Sequence, residues 1–167
     1  MGEHYYMVDT NIILAYVKRE NELIKNFIDD HHNHFFYTET VEKEYTKPSL
    51  QFPEIPDIFK IIRANIPQQK ITAVFESIEK IMNLTPTQKN KFMNDLTIIL
   101  EAGFKCYAIT PPDNFNEPLL LTNNLVLYNK FINIPQNKKL LEDIIGAYGL
   151  EHLIEVIRPC DVVVGYM

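Results

Sequence analysis

The stretch His4-Tyr5-Tyr6-Met7-Val8-Asp9-Thr10-Asn11-Ile12-Ile13-Leu14-Ala15-Tyr16 decides the fold. Its first five residues combine aromatic and β-favouring side chains and end at a polar Asp9-Thr10-Asn11, which reads as a short buried strand followed by a helix N-terminus. The helix carries Ile12, Ile13, Ala15 and Tyr16. The charged run Lys18-Arg19-Glu20-Asn21 interrupts the apolar pattern, which resumes at Leu23, Ile24, Phe27 and Ile28 with helical spacing. A broken helix or a helix pair follows from that interruption.

The alternation continues downstream. Phe35-Phe36-Tyr37 predicts a second strand, and Thr38 opens a helix through Glu39, Val41, Glu42, Glu44 and Tyr45 that Pro48 stops. Pro48, Pro53 and Pro56 mark an irregular crossing before a helical stretch containing Ile58, Ile61 and Ile62. Ile71, Val74, Phe75, Ile78, Ile81 and Met82 recur at helical spacing and predict a core-facing helix. Thr85-Pro86-Thr87-Gln88 is a capping-box pattern with proline at the first helical position, opening a helix that contains Asp95 and runs to about Gly103.

Residues 105–109 read as a strand and 111–117 as a loop. Pro118-Leu119-Leu120-Leu121 is a compact apolar strand ending at Thr122-Asn123-Asn124, followed by a short helix over 125–131 and an extended piece over 132–134. A helix near 137–148 and β-rich pieces around 154–157 and 162–164 complete the pattern. Strands alternating with helices predict an α/β protein, a three-layer α/β/α sandwich with a mostly parallel central sheet. At 167 residues the chain fits a single domain spanning residues 1–167.

Composition narrows the chemistry. Apolar residues at 46% and charged residues at 23% are ordinary globular usage, which excludes a disordered tail or a collagen-like scaffold. Sixteen basic against 22 acidic residues give a formal charge of −6, so the chain does not grip nucleic acid through overwhelming positive charge. Cys106 and Cys160 are too few and too far apart for CxxC redox chemistry or a four-thiolate zinc site, and they suggest a reducing compartment. No secretory signal pattern opens the sequence and no apolar run approaches the ~18–20 residues that span a bilayer, so a soluble, cytoplasmic protein is expected. With glycines only at 2, 103, 146, 149 and 165 there is no Walker loop and no GxGxxG turn. Ser49 and Ser77 are the only serines, neither in GxSxG, and HExxH is absent.

Carboxylates remain, and three follow strands or lie in helices that can reach a strand end: Asp9, Glu44 and Asp95. In open α/β sheets the ligand crevice lies beyond the carboxyl ends of the strands. Here the residues resemble the PIN-domain ribonucleases. VDTNIILAY, residues 8–16, is similar to that family's strand-one motif with its Asp and nearby Asn or Ser. Thr38 with Glu44 in TETVEKEY resembles the second motif, NDLTIILEA (94–102) the third, and LLLTNNLVL (119–127) the final strand with its Thr-x-Asp ending. The four occur in family order. Asn124 stands where the family usually has its fourth acid.

The resemblance implies a PIN-like fold and a metal-dependent endoribonuclease that leaves 5′-phosphate and 3′-hydroxyl ends. It implies Asp9, Glu44, Asp95 and Asn124 as the catalytic set, and RNA as a partner. A protein partner or inhibitor is the second expected partner, since antitoxins inhibit many bacterial relatives. Independently of the name, phosphodiester cleavage needs an activated water and relief of charge on the phosphoryl group, and Mg²⁺ or Mn²⁺ supplies both. Carboxylates held together repel one another unless a cation intervenes. Asp9 and Asp95 are the expected direct or water-mediated metal ligands, with Glu44 holding metal-bound water or a second ion. Asn11 and Thr122 would orient carboxylates or the scissile phosphate, and Asn124 could offer an amide oxygen, with Asp113 and Glu117 near in sequence.

Each residue also has a plainer reading. Asp9 fits a helix N-cap, Glu44 the solvated face of an acidic helix, and Asp95 a cap or first-turn acid. The Asp29-Asp30-His31-His32-Asn33-His34 tract reads as a solvated connection. The alternative to the nuclease is a catalytically impaired PIN-like module that binds RNA or protein, motivated by Asn124. A phosphatase with an aspartate nucleophile fits less well, because Asp9-Thr10-Asn11 lacks a second Asp two residues on.

Overall fold

The computed structural model describes residues 4–19, 21–63, 68–106, 119–122, 126–147 and 153–162. The elements run β1 (Tyr6–Val8), α1 (Thr10–Lys18), α2 (Glu22–Asp30), β2 (Phe35–Thr38), α3 (Glu39–Tyr45), β3 (Phe59–Ile62), α4 (Gln68–Glu79), α5 (Pro86–Cys106), β4 (Leu119–Leu121), α6 (Val126–Ile132), α7 (Pro135–Ala147), β5 (Glu155–Ile157) and α8 (Pro159–Val162). The strands form one sheet in the order β3-β2-β1-β4-β5, and every pairing is parallel. The α/β class and the parallel sheet are therefore as the sequence predicts.

The central strands are apolar along their whole length, and all residues of β1 and β4 are buried. Successive side chains of a strand point to opposite faces, so both faces of the sheet are covered, as in a three-layer sandwich. The core joins Met7, Val8, Phe35, Leu120 and Leu121 of the strands to Ile12, Ile13, Ile28, Val74, Ile78, Leu96 and Ile99 of the helices. Strand order starts at β1, moves outward through β2 to β3, then crosses back to β4 and β5 on the other side. The chain thus changes direction between β1 and β4, and their carboxyl ends flank the crevice where open α/β sheets bind ligands.

Local signals set the boundaries. The charged run after Lys18 is a break between two helices: Arg19 caps α1 with φ 52°, and Asn21 caps α2 by accepting from the N–H groups of Leu23 and Ile24 at 2.9 and 3.3 Å. The capping box closes reciprocally, with the Thr85 N–H donating to Gln88 Oε1 at 3.0 Å and the Gln88 N–H to Thr85 Oγ1 at 3.3 Å.

Five expectations need correction. The isoleucines at 58, 61 and 62 have helical spacing, yet Phe59–Ile62 is strand β3 beside β2. A stretch this short between Pro56 and Pro67 cannot propagate a helix, whereas β-branched side chains pair readily at a sheet edge. Lys105 and Cys106 belong to α5 and do not start a strand, and 107–109 lie outside the described residues. The piece at 132–134 is the end of α6 and the turn into α7, because the Ile134 carbonyl accepts from the N–H groups of Asn137 and Lys138. Val162 lies in α8, and 163–164 lie outside the described residues. In α4 the apolar stripe stops at Ile78, and Ile81, beyond the helix, is 51% exposed. Among the described residues no helix is long and apolar enough to cross a membrane.

Candidate functional site

Register assembles the site. Val8 pairs with Leu121, so the next residues, Asp9 and Thr122, emerge side by side at the carboxyl ends of the two central strands. The Asp9 N–H donates to the Leu121 carbonyl at 3.1 Å, and the Thr122 N–H donates to the Ile157 carbonyl at 3.1 Å, extending the ladder one residue past each strand. Asp9 is the N-cap of α1 in extended conformation, so its plainer reading is true as well. Its Oδ1 accepts from the Thr10 N–H at 2.7 Å. Its Oδ2 accepts from the Thr122 hydroxyl at 2.8 Å and from Asn11 Nδ2 at 3.3 Å, and the same Asn11 amide donates to Thr122 Oγ1 at 3.1 Å. Asn11 and Thr122 thus hold one carboxylate in one orientation.

Glu44 comes from α3, whose N-cap Thr38 lies at the end of β2. Its Oε2 accepts from the Thr10 hydroxyl at 2.7 Å, and its Oε1 accepts from the side-chain amide of Asn94 on α5. Thr10 and Asn94 were missed by sequence reasoning. Their signal was adjacency: each directly neighbours a candidate acid and carries a donor.

Asp95 projects from α5 and is 5% exposed, with Oδ2 buried and without a hydrogen-bond partner among the described residues. Burial, reinforced by the nearby Asp9 carboxylate, pushes its pKa up to about 7, with Lys91 pulling down and Glu44 pushing up. Burial also raises Asp9 above the usual carboxylate range, opposed by its bonds from Thr122 and Thr10 and supported by Glu44. A buried carboxylate raised by the charge of another shares with it a site that a proton or a cation relieves.

Asp9, Glu44 and Asp95 line one cleft of about 380 Å³, together with Thr10, Asn11, Leu14, Phe52, Lys91, Asn94 and Ile98. Three elements distant in the chain therefore converge. A larger cavity of about 550 Å³ adjoins across Phe52, lined in part by Tyr37, Tyr45, Pro48 and Phe59, and none of the three acids lines it. Among the described residues no three His, Cys, Asp or Glu side chains form a group that could grip an ion unaided. Asp95 Oδ2 has no hydrogen-bond partner among the described residues and Asp9 Oδ1 accepts only one hydrogen bond from them, so these two carboxylates keep lone pairs that could hold a hard cation, with water completing its shell. The all-oxygen donors and the unpartnered Asp95 Oδ2 fit such an ion. Asn124, Asp113 and Glu117 lie outside the described residues.

No family model matches the chain, and no curated protein matches it significantly. Among solved structures it is similar to the crystal structure of VapBC2 from Rickettsia felis bound to a DNA fragment from its promoter, at 16% identity and a TM-score of 0.47, covering 92% of this chain and 97% of that one.

Proposed function

We propose that this protein is a metal-dependent endoribonuclease of the PIN type. The observation that carries the reading is the convergence of Asp9, Glu44 and Asp95 in one cleft at the sheet's change of direction. In this reading Asp9 and Asp95 hold Mg²⁺ or Mn²⁺. When bound, the ion supplies a more acidic water and charge relief on the phosphoryl group. Asn11 and Thr122 fix the Asp9 carboxylate, and Glu44, held by Thr10 and Asn94, faces the cleft as acceptor for the attacking water's proton. Asn124 contributes a neutral amide where relatives in the family carry an acid. RNA as substrate and a cytoplasmic setting belong to the same reading.

A second reading, a PIN-like module that binds RNA or protein without cutting, is favoured by one observation: the sequence has an amide, Asn124, where the family it resembles usually has its fourth acid. Incubation of the purified protein with end-labelled RNA and Mn²⁺ decides between them. The nuclease reading expects cleavage that disappears in Asp9→Asn and in Asp95→Asn. Intact RNA with tight, metal-independent binding would favour the module.

A further inference from the structure

The acidic cleft contains one cation among its described lining residues, Lys91. It stands on α5 four residues before Asp95, so the two side chains share a helix face. Its side chain is exposed and makes no ion pair with any described residue, whereas Lys25 is bonded to Asp29 at 2.7 Å and Lys89 to Glu79 at 3.7 Å. This ammonium lines the cleft with three carboxylates, acts on Asp95 through its charge alone, and bonds to no described residue. The chain as a whole is negative, so any strand entering this cleft must find its attraction locally.

We propose that Lys91 contacts a backbone phosphate of the RNA beside the scissile bond. The inference rests on the nuclease reading and deepens it. Lysine suits the task as a compact point charge on a flexible stem, able to meet a phosphate oxygen without fixed bidentate geometry. The rival role is that Lys91 only tempers the repulsion among the acids. The two differ in what its removal does: loss of a tempering charge tightens cation binding and leaves RNA contacts alone.

The test compares Lys91→Met and Lys91→Arg with the unmodified chain. Affinity for a fluorescein-labelled single-stranded RNA is read across a salt series in the Asp9→Asn background, so that cutting does not intrude. Each phosphate contact to a single strand contributes about 0.7 to the slope of log K against log salt, and Lys91→Met should lower the slope by about that amount while Lys91→Arg restores it. In the otherwise unmodified protein, Lys91→Met should lower kcat/KM about tenfold with Mn²⁺ affinity equal or tighter. An unchanged slope, wild-type RNA binding insensitive to salt, or Mn²⁺ affinity falling in step with cleavage overturns the inference. A protein that never cuts RNA yet shows the Lys91-dependent slope removes the nuclease reading and leaves the phosphate contact standing.

Discussion

The Thr122 hydroxyl donates to Asp9 Oδ2 at 2.8 Å across the seam between β4 and β1, and Thr122 is fully buried. The bond joins the two strands where the sheet changes direction, and it lowers the cost of keeping a buried carboxylate charged. Residues far apart in the chain thereby act as one unit.

Thr122→Val preserves shape and removes that donor. Asp9 then retains only Asn11 on Oδ2, and its carboxyl moves further above the usual range. We expect a stability loss of about 1–2 kcal/mol and a 10- to 100-fold weaker Mn²⁺ affinity. Thermal unfolding and Mn²⁺ titration measure the two, and Thr122→Ser should recover most of both. Unaltered Mn²⁺ affinity in the valine variant would separate Thr122 from the site.

Asp95 gives stability a pH dependence. Its pKa is about 7 in the folded chain against an ordinary 3.8, so the folded state binds the extra proton between those values. Its contribution is complete below pH ~4 and is lost as pH rises through ~7. Asp9 and Glu101, also raised by burial, act in the same direction. Asp95→Asn removes the largest of these changes in a near-isosteric way. At pH 8 the variant should melt several degrees above the parent, and below pH 4 the two should converge. Equal melting curves at pH 8 would mean that Asp95 is not held in a charge-repelling site.

Much of this site was legible before the fold was known, because polar residues directly after buried strands announce themselves. Asp9 after Met7-Val8 and Thr122 after Leu119-Leu120-Leu121 are of this kind, and parallel pairing of β1 with β4 is what makes them neighbours. The capping box before α5 was equally plain, since Thr85 and Gln88 need only local geometry. Strand β3 was not. Ile58, Ile61 and Ile62 satisfy the helical period, and only the partner strand β2 distinguishes the alternatives. The hold on Glu44 was hidden for a similar reason: Thr10 and Asn94 are ordinary polar residues until α1, α3 and α5 pack together.

Cation binding should invert the pH trend. In the proposed reading a divalent ion would bind the charged forms of Asp9 and Asp95, and binding only to the folded state would stabilise it by mass action. Mn²⁺ at a hundredfold excess over its Kd would add about 2.7 kcal/mol. The rise in Tm should be large at pH 7.5, small at pH 5, and absent in Asp95→Asn. A shift of equal size at both pH values would point to binding elsewhere on the acidic surface.

Glu44 offers the sharpest separation between holding an ion and performing chemistry. Its two oxygens are tied to Thr10 on α1 and Asn94 on α5, so its position is set by two elements other than its own. Asn94→Ala cuts one tie at an exposed position, and Thr10→Val cuts the other with little change of shape. The Thr10 N–H that donates to Asp9 belongs to the backbone and survives in the valine variant, and the Asn94 side chain bonds to Glu44, so Mn²⁺ affinity should stay within about twofold, a change of ~0.4 kcal/mol. In the nuclease reading cleavage would depend on where the Glu44 carboxylate points, and each single variant should lower kcat about tenfold with KM unchanged. Because both donors act on one side chain, the double variant should lose less than the product of the two single losses. A full multiplicative loss would show that Thr10 and Asn94 act independently, and Glu44 would then not be the group through which they work.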